Sequence, residues 1–187
     1  MEVARQIRYK RASPPDYDGI LNLQKGNLLV NLSAQQAQDG FLLVEMSEKQ
    51  FDEINRDLGV IVAESRNEIV GYLCGTSCRY GTQFPILQTM MGRLDELSIE
   101  GNRLTEENTF IYGPVCIAKA TRGTGILNGL YQALKENAGS RYSFCILFIS
   151  DKNTRSVNAH LKIGMNRLGV FDFNNGLFHI MGTSLKK

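Results

Sequence analysis

The sequence predicts a mixed α/β (α+β) fold with a mostly antiparallel sheet flanked by helices, and three stretches predict it. Gly59 to Glu64 and Ile69 to Cys74 are two β-rich apolar runs joined by the polar turn Ser65-Arg66-Asn67-Glu68, the pattern of a hairpin. From Phe110 onward the chain reads strand, helix, strand, helix, which calls for a parallel pair joined by a right-handed crossover. Two short strands follow, around Asn166 to Phe171 and Leu177 to Gly182, with Asn174-Asn175-Gly176 as the turn between them.

The elements follow in order. Ile7, Tyr9 and Arg11 alternate with Arg8 and Lys10 as a first strand, which Ser13-Pro14-Pro15 stops. Asp16 and Asp18 open a helix whose apolar positions, Ile20, Leu21, Leu23, Leu28 and Leu32, make a loose stripe weakened by Gly26. A second helix, Glu48 to Asp57, places Phe51 and Ile54 three residues apart on one face. After the hairpin, residues 79 to 109 read as a long irregular and polar excursion with a helix from Pro85 to Leu97. Phe110 to Ile117 is then a strand, Gly125 to Ala138 a helix, Phe144 to Ser150 a strand, and Thr154 to Ile163 a helix ended by Gly164.

Length and composition bound the function. A chain of 187 residues, 43% hydrophobic and 21% charged, fits one globular domain over 1–187 with a sizeable core. The longest apolar run, Phe144 to Ile149, is far below the roughly 20 residues that span a bilayer, so no membrane passage is expected. The net charge of +2 argues against charge-driven binding to nucleic acid. That charge is split, because residues 1 to 118 hold 11 Lys or Arg against 16 Asp or Glu (−5), and 119 to 187 hold 10 against 3 (+7). An anionic ligand therefore belongs with the C-terminal part, and the acidic part mildly favours a cationic acceptor.

The four cysteines, Cys74, Cys78, Cys116 and Cys145, show no second pair at zinc-ribbon spacing, and His160 and His179 lie far along the chain. They read as buried free thiols, with no metal. Met1-Glu2-Val3-Ala4-Arg5 lacks the apolar segment of a secretory leader, so a reducing, cytoplasmic setting is expected.

The chemistry concentrates in the C-terminal half. Ala118 to Gly125 leads from a strand into a helix, where unpaired backbone N–H groups and the positive helix end cradle phosphate and glycine permits close approach. Gly123, Gly125 and Gly129 are spaced Gly-x-Gly-x-x-x-Gly, which is no dinucleotide fingerprint. Asn153, Ser156 and His160, at i, i+3 and i+7, share one helical face directed at the space between the parallel strands. Gly113-Pro114 interrupts its strand, because proline cannot donate to a ladder, and a bulge or an edge is expected there.

In this succession the chain resembles the GNAT family of N-acetyltransferases. The family's acetyl-CoA loop runs Arg or Gln, two residues, Gly, one residue, Gly or Ala; Arg122, Gly123, Thr124, Gly125 and Ile126 occupy its first five positions, and Leu127 departs at the sixth. The family's Asn-x-x-Ala-x-x-x-Tyr-x-x-x-Gly-Phe corresponds in spacing to Asn153, Ser156, His160, Gly164 and Met165. The specific likeness spans about residues 110 to 165. It implies a mixed, mostly antiparallel sheet with splayed parallel central strands, and acetyl-CoA as cosubstrate.

By the same resemblance, the backbone of Val115, Cys116 and Ile117 would meet the pantetheine and thioester, and Arg122, Gly123, Thr124, Gly125, Ile126 and Leu127 the pyrophosphate. Asn153 and Ser156 would complete the cofactor site. His160 stands where the family has the tyrosine that protonates the departing thiolate. Lys119, Arg122, Lys152 and Arg155 are candidates for the CoA phosphates. The implied reaction is acetyl transfer by direct attack of a primary amine, on a small molecule or a peptide. The alternatives are a non-catalytic CoA-binding module, and an acyltransferase acting on protein lysines or N-termini. Transfer of a longer acyl group stays open. Glu64 and Tyr112 are conceivable bases but read as surface or packing residues, and a homodimer through the final strands is as open as a monomer.

Overall fold

The computed structural model describes residues 7 to 186; the leader reading of Met1 to Arg5 falls outside them. Strand β1 (Arg8–Arg11) leads to helix α1 (Tyr17–Lys25), a short α2 (Ala34–Ala37) and α3 (Glu48–Asp57). Strands β2 (Gly59–Ser65) and β3 (Glu68–Ser77) form the expected hairpin, followed by α4 (Cys78–Gly81) and α5 (Pro85–Met91). A two-residue hairpin, β4 (Ser98–Ile99) and β5 (Asn102–Arg103), precedes β6 (Thr109–Ile117), α6 (Ile126–Ala138) and β7 (Phe144–Ser150). The chain ends with α7 (Thr154–Lys162), β8 (Asn166–Phe173) and β9 (Gly176–Ser184).

Seven strands make one sheet in the order β1-β2-β3-β6-β7-β9-β8, in which only β6 and β7 run parallel. Both faces are buried, as β2 shows residue by residue. Val60 and Val62 pack with Ile20, Phe51 and Ile54 of α1 and α3, whereas Ile61 and Ala63 pack with Leu130 and Leu134 of α6. That alternation is the two-residue period of a strand covered on both sides. Helix α3 starts at a capping box in which Ser47 Oγ accepts the Gln50 N–H and Gln50 Oε1 accepts the Ser47 N–H. Helix α6 comes close to β1 at Gly129, where an added Cβ would run into the Tyr9 ring. Near α5, a third cluster joins Met90, Leu94 and Leu97 to Ile146 and Ile180.

Several expected boundaries move. Helix α1 stops at Lys25, because Gly26 ends it and Leu28 leaves the stripe to bridge Leu42. The helix expected over Pro85 to Leu97 ends at Met91: Gly92 closes it, and Leu94–Glu96 is a separate 3-10 turn. In the last hairpin the turn is Asn174-Asn175 alone, both at positive φ, while Gly176 pairs with Phe173 inside the ladder. The stretch 79 to 109 holds α4, α5 and the β4–β5 hairpin, elements too short to show a periodicity.

Two features place the site. Strands β6 and β7 pair only at Thr109–Ile111 with Phe144–Ile146 and then diverge. Opposite β3, the register shifts between Leu73, which faces Val115, and Gly75, which faces Tyr112, so Gly113 and Pro114 form the bulge.

Candidate functional site

The divergence of β6 and β7 opens a cleft of about 160 Å³ that passes through the sheet. On one face it is lined by Ser150, Asn153, Ser156 and His160, and on the other by Leu42, Val44, Met46, Phe84, Ile86 and Leu87. Gly113, Pro114 and Val115 form the β6 wall, and Leu147, Phe148 and Ile149 the β7 wall. None of the lining residues carries a charged side chain other than the titratable His160. No carboxylate of residues 1 to 118 lines this space.

Helix α7 positions the polar side. Asn153 caps it by accepting the Ser156 N–H at 3.2 Å through Oδ1, and its amide donates to the Phe41 carbonyl at 3.1 Å. His160 is 1% exposed. Its Nδ1 lies 2.7 Å from the Ser156 carbonyl, which can only accept, so Nδ1 carries the proton and Nε2 is left as a lone pair. Ser156 Oγ stands 3.4 Å from the same nitrogen. Burial pushes the imidazole pKa down to about 4, so the ring is neutral near pH 7. Tyr112 packs edge-on against this ring at 5.4 Å, and burial holds its phenol well above the ordinary range. Thr76 Oγ1, Tyr112 Oη and His160 Nε2 are buried without a partner among the described residues, and all three residues line the cleft.

The bulged strand presents its backbone selectively. The Ala118 N–H donates to Val70 O, and antiparallel alternation then makes Cys116 with Tyr72 a hydrogen-bonded pair. Val115 and Ile117 accordingly turn their backbone groups toward the β7 side. Cys116 is spent on the β3 ladder, and its thiol is buried with Leu28 and Phe51 and pushed up to about 12. The expected trio therefore offers two residues rather than three. All four cysteines are free and buried.

At the N-terminus of α6, Gly123 and Gly125 adopt φ of 82° and 90°, and a Cβ on either would meet nothing within 4 Å. Among the described residues, the backbone N–H groups from Gly123 to Leu127 find no backbone carbonyl. This open row of donors at a helix start fits a diphosphate. Leu127 keeps its N–H available. The Arg122 side chain does not join that row: it donates to Ile117 O at 2.9 Å, Asp39 O at 2.6 Å and Asn27 Oδ1 at 2.5 Å. It ties the loop to the segment between α1 and α3.

Asp39 was invisible in the sequence. Its carboxylate pairs with Lys119 at 2.6 Å and Arg155 at 3.2 Å, two of the cations expected to face phosphate, and the Lys119 hydrogen bond holds its carboxyl below the usual range. Lys152 is exposed beside Asn153. Glu64 lies across the sheet, paired with Lys10 at 2.9 Å. The apolar wall at Leu42 to Met46 was also missed; the run Phe41-Leu42-Leu43-Val44 outside any periodic element was its one signal.

No curated protein matches the sequence. The fold is similar to that of an N-acetyltransferase from Staphylococcus aureus Mu50, at 18% identity over 97% of this chain and 99% of that one, with a TM-score of 0.64. It is similar to yncA from Salmonella typhimurium, whose structure contains its cofactor acetyl-CoA, at 16% identity over 97% and 95% of the two chains and a TM-score of 0.62. A ribosomal-protein-alanine N-acetyltransferase from Brucella melitensis aligns at 19% identity over 95% and 99%, with a TM-score of 0.62. The sequence model described as the acetyltransferase (GNAT) family matches residues 28–165, which include the splayed strands, the glycine loop and His160. The chain therefore belongs to the GNAT acetyltransferase family.

Proposed function

We propose that the protein transfers the acetyl group of acetyl-CoA to a primary amine by direct attack within a ternary complex. The observation that carries this reading is the cleft itself. The cleft between the splayed strands holds the buried His160, whose Nε2 has no partner among the described residues, and its β6 wall runs on into the loop whose N–H groups from Gly123 to Leu127 find no backbone carbonyl. Acetyl-CoA supplies the activated acyl group as a thioester.

The N–H groups of Gly123 to Leu127 hold the diphosphate, with the helix dipole behind them. Val115 and Ile117 offer backbone groups along the cleft and orient the acyl end. Their N–H groups can also stabilise negative charge that develops on the carbonyl oxygen. The apolar walls exclude water. His160 holds no spare proton at rest, since Nδ1–H is committed to Ser156 O. Its Nε2 takes up the proton that the amine sheds and hands it to the leaving sulfur. Protonation of the leaving group thus stays with His160, which collects the proton before delivering it.

A neutral histidine and a committed Arg122 also favour one competing reading, a CoA-binding module without catalysis. Calorimetry with acetyl-CoA and desulfo-CoA, followed by thiol release with a mixed amine panel, separates the two. Micromolar binding with amine-dependent release is the expected result, and His160→Ala is expected to lower turnover about 100-fold while acetyl-CoA affinity holds. Binding without release from any amine would favour the non-catalytic module. Absence of binding would remove both readings.

A further inference from the structure

The inference concerns the acceptor and rests on the transfer reading above. We infer that the acceptor is an amine carried on a compact apolar body of about one ring, rather than a polyamine or a lysine in a charged peptide. The half of the cleft beyond the bulge is walled by Leu42, Val44, Met46, Phe84, Ile86 and Leu87, from segments that belong neither to β6 nor to β7. Its lip is apolar too, since Leu43 and Val44 line it while 41% and 52% exposed. A void of roughly 150 Å³ lined by Leu, Ile and Phe takes a benzene-sized body, and the whole cleft, acyl end included, is about 160 Å³, so about one ring is the upper limit for the half beyond the bulge.

The absence of charge among the lining residues decides against a multiply charged acceptor. A second ammonium entering this space would lose its hydration with no carboxylate among the lining residues to replace it. The same desolvation favours the neutral form of the one reacting amine, as it does for a buried lysine. The wall thus does part of what a general base would do. The lining's buried polar side-chain atoms left without a partner among the described residues are Thr76 Oγ1, Tyr112 Oη and His160 Nε2, beside the neutral Ser150, Asn153 and Ser156. An acceptor with one polar end and an otherwise apolar surface matches that distribution.

The apolar space could instead hold a longer acyl chain. The exposed lip favours the acceptor, because Leu43 and Val44 offer entry from solvent. The experiment measures thiol release from acetyl-CoA with phenethylamine, cadaverine and a lysine-bearing peptide. Acetyl-CoA affinity is measured on the same sample, and hexanoyl-CoA serves as a second donor. The expected result is a kcat/KM for phenethylamine at least about tenfold above the other two. Leu43→Glu, at an exposed position, is expected to lower that value about fivefold or more and leave acetyl-CoA affinity unchanged.

Acetyl-CoA binding with release from cadaverine or the peptide equal to or faster than that from phenethylamine overturns this inference alone, whereas binding with no release from any amine overturns the transfer reading with it. Faster consumption of hexanoyl-CoA with no preference among the amines assigns the space to the acyl chain and also overturns it. Failure to bind acetyl-CoA overturns the transfer reading and the inference together.

Discussion

His160 shows how surroundings decide the chemistry of one side chain. A free imidazole is half protonated near pH 6.5, but this one is buried against Tyr112, with Nδ1 held by Ser156 O. Its folded pKa of about 4 lies below the unfolded value, so the unfolded chain binds a proton that the folded chain refuses. Stability from this group is complete above about pH 6.5 and falls as pH drops toward 4, where about 3 kcal/mol is lost. Urea unfolding at several pH values between 7 and 4 should show that slope, and His160→Gln should flatten it; an equal slope in both proteins would refute the assignment. The shared face of Asn153, Ser156 and His160 was legible from spacing alone. The use of the Asn153 amide was not, because its partner, Phe41, lies 112 residues away.

At the scale of elements, the segment from Asn27 to Met46 fastens across the mouth of the site. Arg122 reaches two of its residues, Asn153 holds Phe41, and Asp39 neutralises Lys119 and Arg155. On the proposed reading, an incoming polyphosphate would compete with Asp39 for those two cations. Asp39→Asn should therefore tighten acetyl-CoA binding about two- to fivefold at low salt, the usual size of exposed ion-pair effects, with less gain at high salt. Calorimetry at two ionic strengths tests this, and a salt-independent gain or a loss of affinity would contradict it. The β2–β3 hairpin and the run from β6 to α7 were readable because their periods and turn residues agree. Residues 79 to 109 were legible only in the start of α5 at Pro85, since a four-residue helix and two-residue strands leave no period to read. Arg122 matched the family's loop by position, yet nothing local announced that it would serve as a tether.

Over the whole molecule, the sheet consists of two parts, β1-β2-β3-β6 and β7-β9-β8, joined by three residue pairs. The splay was expected from the resemblance alone, Pro114 announcing only a bulge or an edge, and the point at which the pairing stops, after Ile111 and Ile146, was not legible. The amides of Val115 and Ile117 should exchange with solvent quickly in the free protein and slow about tenfold or more with acetyl-CoA, while Ile146 stays protected in both states. Hydrogen exchange read by mass spectrometry tests this, and protection at Val115 and Ile117 without ligand would mean that the strands close on their own. A ligand lying in that gap contributes as an eighth strand would, bridging half-sheets that the chain leaves largely unjoined. On the transfer reading, persistence of the protein in a cell should then follow the supply of acyl donor: where it is scarce, the seam opens more often.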